Sequence, residues 1–112
     1  MVYLLTYDGY MREGYLEEIC PSAILFMQCG LKDCALEFRR FYETAMPTLE
    51  VGDEIVPAVI WKLEESDLQN MEAIYLNEIY QKTNWNLKTE KSVLKVTVFL
   101  MRETPFAFPK EK

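Results

Sequence analysis

Between Val93 and Met101 the sequence alternates so regularly that it admits one backbone conformation. Leu94, Val96, Val98 and Leu100 fall on one side, while Lys95 and Thr97 point the other way. Successive side chains of a strand project to opposite faces, so this segment reads as a strand with one continuous apolar face. Such a face has to be covered by other parts of the chain. Residues 79–88 alternate as well, with Ile79, Thr83, Trp85 and Leu87 on one side and Lys82, Asn84, Asn86 and Lys88 on the other. Glu54 to Leu63 is a strand rich in Ile, Val and Trp, and residues 2–7 form a short apolar run suited to a buried strand. Residues 22–29 and Cys34 to Tyr42 read as two more strands, with a turn from Gly30 to Asp33 between them. Ala45 to Pro47 is a short extended piece, and Val51-Gly52-Asp53 reads as a turn.

Two helices interrupt the strands. Met11, Tyr15 and Ile19 recur every four residues, which draws an apolar stripe on a short helix that Pro21 stops. Ser66-Asp67-Leu68-Gln69 has the form of a capping box, and Leu68, Met71 and Tyr75 then share one helical face. The order is β-α-β-β-β-α-β-β, about six strands with two short flanking helices. Too few helices separate the strands for a doubly wound sheet, so the expected class is α+β, a small mixed β-barrel or curled sheet. The 112 residues suit one domain spanning 1–112, with an irregular tail over 103–112 that carries Phe106 and Phe108.

Composition narrows the function by exclusion. Twelve basic and 18 acidic side chains give a net charge of -6. That surplus argues against a nucleic-acid partner or an anionic membrane surface, which both attract clustered positive charge. The chain has no histidine, which removes His-based zinc sites, Ser-His-Asp triads and Cys-His dyads. Cys20, Cys29 and Cys34 are odd in number and lack C-x-x-C spacing, so they read as free thiols in a reducing compartment rather than as metal ligands. The first residues carry no basic n-region before Asp8, and no apolar run approaches the roughly 20 residues that span a bilayer. The expected location is the cytoplasm.

Three stretches resemble the gamma-glutamylcyclotransferase-like family. The family's first strand runs into Tyr-Gly-Ser-Asn-Met, and here that place reads Tyr7-Asp8-Gly9-Tyr10-Met11. Its central Gly-x-x-Val-x-Gly-Val-hydrophobic-aromatic-x-Leu strand is similar to Gly52 through Trp61 to Leu63, with Ala45 and Pro47 ahead. Its Asp-Leu-x-x-Leu-Asp-x-x-Glu-Gly helix resembles Asp67 to Leu76, with Tyr80 opening the next strand. The resemblance covers residues 3 to about 101. It implies the family's fold, no metal or organic cofactor, and a reaction that releases 5-oxoproline from gamma-glutamyl compounds. In that reaction the alpha-amine attacks the gamma-carbonyl, loop amides orient the substrate, and a helix Glu moves the protons.

At the position of that Glu this sequence has Tyr75, a phenol with an ordinary pKa near 10 and so a poor base at neutral pH. Asp8 stands for a loop Gly and would repel a substrate carboxylate, Tyr10 stands for the loop Asn, and Ala58 for a strand Gly. The resemblance thus implies a diverged member that keeps the fold and a small-molecule pocket for an amino-acid or amine derivative. Its binding residues would be Tyr7, Asp8, Gly9, Tyr10 and Tyr75. Two alternatives stay open. One is an active cyclotransferase or acyl-amine lyase with Glu72 as the base, since Glu72 lies about 40° from Leu68 and about 60° from Tyr75 around a helix. The other is a protein-interaction module using the acidic surface or the aromatic tail. Each candidate also has a plainer reading: Tyr75 as core filling, Glu72 and Glu78 as solvated carboxylates, Asp8-Gly9 as an ordinary turn, and Arg39-Arg40 as surface charge. Trp61 and Trp85 read as core. The oligomer is expected to be a monomer or homodimer.

Overall fold

A computed structural model describes residues 1–8, 14–41, 44–75, 80–88 and 92–101. In chain order the elements are β1 (Val2–Thr6), α1 (Tyr15–Ile19), β2 (Ile24–Phe41), β3 (Thr44–Leu63), α2 (Glu65–Tyr75), β4 (Tyr80–Lys88) and β5 (Val93–Met101). The strands form one mixed sheet in the order β2-β3-β1-β5-β4. β1 lies parallel to β5, with Leu4 opposite Thr97, and antiparallel to β3, while β2–β3 and β4–β5 are antiparallel hairpins.

Five strands replace the expected six or so, because two turn signals do a different job. Gly30–Asp33 and Val51–Asp53 both lie inside a single long hairpin, with Gly30 opposite Pro57, Lys32 opposite Ile55 and Cys34 opposite Val51. Cys34 pairs with both Val51 and Glu54, so the residues between those two bulge out of β3. Opposite them Asp33 takes a left-handed φ of 60°, a conformation that Asp tolerates better than most residues. At Gly52 an added Cβ would lie 2.6 Å from the Ala35 Cβ and 3.1 Å from the Cys34 carbonyl oxygen. The turn-forming residues therefore bend the ribbon without reversing it. The bend carries the far half of β3 back to the end of β5, where the Met101 N–H donates to Thr48 Oγ1 at 3.0 Å and the Tyr80 hydroxyl donates to the Pro47 carbonyl at 2.6 Å. Among the described residues β2 and β4 remain edges, so the sheet is curled and open where a closed barrel was expected.

Both faces of the sheet are packed. On the helix side Leu4, Trp61, Leu63, Phe99 and Met101 meet Leu16 of α1 and Leu68, Met71 and Tyr75 of α2. Trp61 is 2% exposed, and its indole N–H donates to Thr6 Oγ1 at 2.9 Å, which satisfies the one polar atom such a side chain brings into a core. The other side gathers Leu5, Tyr7, Leu31, Val56, Ile60, Val96 and Val98, with Leu94, Leu100 and Trp85 packed against them.

Both helices differ in detail from the sequence pattern. In α1 the buried residue is Leu16, whereas Tyr15 is 57% exposed, so the i, i+4 stripe through Tyr15 was the wrong face. The helix is so short that docking of its Leu16–Ile19 side on the core outweighs the pattern. In α2 the expected face of Leu68, Met71 and Tyr75 is buried, but Ser66 lies inside the helix and is not its cap. The entry is fixed from α1's side instead. The Ser22 hydroxyl donates to Asp67 Oδ2 at 2.5 Å, and the Glu64 N–H donates to the Ser22 oxygen at 2.9 Å.

Candidate functional site

The site is built where the end of β1 meets the last turn of α2. β1 is central and buried on both faces, so its exit delivers Tyr7 and Asp8 to a fixed place beneath the helix. Tyr75 is the last residue of α2 and points inward, 8% exposed, because it continues the Leu68–Met71 face. Its phenolic hydroxyl donates to Asp8 Oδ2. Its ring stacks on Phe99 with centroids 4.7 Å apart and meets Tyr80 edge-on at 4.9 Å.

Further polar tips are satisfied by backbone. The Tyr7 hydroxyl donates to the Phe99 carbonyl at 2.6 Å, and the Tyr80 hydroxyl is held by Pro47. Burial pushes both phenols well above their ordinary range; the charge of Tyr80 and then Asp8 adds to the rise at Tyr7, and Asp8 adds to it at Tyr80. These two tyrosines are therefore fixed neutral donors that move no proton near neutrality. The cavity enclosed by Leu5, Thr6, Tyr7, Asp8, Met71, Tyr75 and Phe99 measures about 10 Å³, room for about one water.

The sequence-derived candidates divide into three groups. Tyr7, Asp8 and Tyr75 come together at this cavity. Gly9, Tyr10, Met11 and Glu78 lie outside the described residues, as does the tail 103–112. Glu72 is one turn from Tyr75 but faces β4, where its carboxylate meets Lys82 Nζ at 2.7 Å. It does not line the cavity. Arg39 and Arg40 pair through their backbone with Met46 and Ala45 in the distal hairpin. Among the described residues no cluster of three or more metal-ligating side chains is found. The three thiols are free, and burial pushes each upward, Cys20 to about 11.

Phe99 and Tyr80 were missed as parts of the site. For Phe99 the signal was present in β5, where Phe99 and Met101 make the second face apolar as well, as a strand covered on both sides requires.

The comparisons with known proteins agree on the fold. A solved structure described as a gamma-glutamyl cyclotransferase superposes with a TM-score of 0.78 at 18% identity, covering 90% of this chain and 66% of that one. A human protein described as uncharacterized gives a TM-score of 0.78 at 18% identity over 91% of this chain and 67% of that one. An uncharacterized protein from Pyrococcus horikoshii gives 0.65 at 11% identity over 94% and 81%. This chain thus spans slightly under two thirds of the first structure's length. No family model and no curated protein matches the sequence. The chain has a gamma-glutamylcyclotransferase-like fold, with a five-stranded mixed sheet and two helices.

Proposed function

We propose that this chain is a diverged gamma-glutamylcyclotransferase-like protein that no longer cyclises its ligand and instead binds the ammonium end of an amino-acid or amine derivative. The observation that carries this reading is the contact between Tyr75 and Asp8. The resemblance aligns Tyr75 with the family's proton-carrying Glu, and Asp8 with a loop Gly. The carboxylate is thus on the strand exit and the helix contributes a phenol. A proton carrier must reach both the attacking amine and the leaving group, and Tyr75 is engaged with Asp8. Glu72, the alternative base, is engaged with Lys82. An ammonium group is close to water in size, and a carboxylate rimmed by Tyr75, Tyr80 and Phe99 supplies the opposite charge and aromatic surroundings that cations favour. In this reading Gly9 and Tyr10 complete the ligand contacts, and the protein works in the cytoplasm.

The test is 5-oxoproline release from gamma-glutamyl amines, amino acids and dipeptides. Wild type, Glu72→Gln, Tyr75→Glu and the double variant Asp8→Gly/Tyr75→Glu are compared. The expected result is silence from wild type and Glu72→Gln, with release appearing in the double variant, which restores the family's Gly and Glu together. Release by wild type that disappears in Glu72→Gln overturns the reading. Titration with the same amines, followed by NMR shifts near Asp8, tests the binding half; shifts that survive unchanged in Asp8→Asn refute it.

A further inference from the structure

A second cavity among the described residues is far larger than the one beside Tyr75. It lies on the opposite face of the sheet, between the β2 edge and the end of the β4–β5 hairpin where Lys88 pairs with Val93, with a volume of about 590 Å³. Met27, Cys29 and Leu31 form one wall and Leu87 and Leu94 the other, with Ile60 contributing from β3. Ile60 is fully buried in the core of that face, so the cavity reaches through to packed side chains and is more than a surface dent. Its volume falls in the range of small-molecule sites, which are mostly apolar with a few placed polar groups. Among the described residues the charged group is Lys88, exposed at the rim, and no described acidic side chain lines the cavity. In a chain of net charge -6, an apolar cleft whose lining charge is a cation selects against cationic ligands and for anionic ones.

We infer that this cleft binds a free medium-chain fatty acid, or a similar acyl carboxylate, with the chain between β2 and β4–β5 and the carboxylate at Lys88. Burying the chain removes apolar surface of both partners from water, at about 0.8 kcal/mol for each methylene fully covered. The carboxylate stays at the rim, where Lys88 meets it without desolvating either charge. Cys29 supplies a reporter inside the cleft. Cys34 is also half-buried but does not line it, and so serves as the internal control.

The experiment uses dodecanoate below its micelle concentration, with dodecanol, dodecyltrimethylammonium and butanoate as comparators. Calorimetry reads stoichiometry, and peptide mass spectrometry reads alkylation of each thiol. Dodecanoate is expected to bind one to one, ahead of the neutral and cationic chains, with butanoate silent, and to slow alkylation of Cys29 while leaving Cys34 unchanged. Leu87→Glu, checked for its fold by circular dichroism, should abolish binding. Lys88→Glu, at an exposed position that folding tolerates, should weaken dodecanoate by about three- to fivefold, the scale of a rim ion pair, and favour the ammonium chain. Absence of saturable binding to wild type overturns the inference. Equal binding of the two charged chains overturns it too, as does equal protection of Cys29 and Cys34. Co-sedimentation with anionic vesicles in place of soluble one-to-one binding would assign the face to a membrane surface instead.

Discussion

Beneath the end of α2, Tyr75 packs on Asp8, Tyr80 and Phe99 at the exit of β1, so closely that about 10 Å³ remains. On the opposite face Met27, Leu31, Leu87 and Leu94 surround about 590 Å³ with Lys88 at the rim. The first region has convergent polar groups and almost no room; the second has room and almost no polar groups. Ligand sites ordinarily combine the two, a concave space with a few placed donors and acceptors. Here they are separated by the thickness of one sheet. The helix decides which side is filled, because the last turn of α2 brings the buried ring of Tyr75 into the space beside Asp8 and Phe99.

The largest test of that contrast is a pair of truncations. Trp61→Ala on the helix side should cost about 3–5 kcal/mol, with the Thr6 hydroxyl losing its indole donor as well. Leu94→Ala, half-buried beside the cleft, should cost about 1 kcal/mol, since its side chain already meets solvent. Urea denaturation measures both, and equal losses would mean that the cleft is as tightly packed as the helix side. Next in size, Tyr75→Phe keeps the stacked ring and removes only the donor to Asp8, for a loss of about 1.5–3 kcal/mol. An unchanged midpoint would show that the contact is not holding α2 to β1.

A smaller effect is read from pH. Hydrogen bonds from the Ser22 hydroxyl and then its backbone N–H hold the Asp67 carboxyl below its ordinary range. A carboxyl with a lower pKa in the folded chain contributes stability above its unfolded pKa of about 4, and this is lost as pH falls through the folded value. The stability difference between wild type and Asp67→Asn should therefore narrow from pH 5 toward pH 2, and a constant difference would contradict it. The smallest change expected is Lys82→Ala. It breaks an exposed pair with Glu72 worth at most about 1 kcal/mol, and it should leave any ligand titration at Asp8 untouched.

The two ends of the sequence pattern were legible to different degrees. β4, β5 and the buried face of α2 follow directly from alternation and helical spacing, because each element's burial is set by its own side chains. The β2–β3 hairpin reads as separate pieces because turn residues such as Gly30, Asp33, Gly52 and Asp53 serve a bulge as readily as a reversal. Only the register, with Cys34 opposite two partners, separates the two. At the site, Asp8 and Tyr75 were reachable because each sits at the end of an element. Glu72 illustrates the limit. A helical wheel places it near the inward face, but its direction is settled by Lys82 on β4, whose position no local pattern reveals. Phe99 was hidden by the very regularity of β5, whose better-marked face drew attention from the other.

The parallel pairing of Leu4 with Thr97 places the first strand beside the last, with two helices and three strands between them in the chain. β1 can join β3 once Leu63 is available, which makes β2-β3-β1 a unit assembled from the first half. The β4–β5 hairpin can form by itself from neighbouring residues. Docking the two requires closing a loop of most of the chain, the contact of longest range and so the slowest kind to reach. Until that moment the edge of β1 is unpaired and the stacking surface for Tyr75 is missing, since Phe99 arrives with β5. The aromatic site is consequently expected to be the last part of the molecule to become structured, so its fluorescence and exchange protection should report the final step of folding.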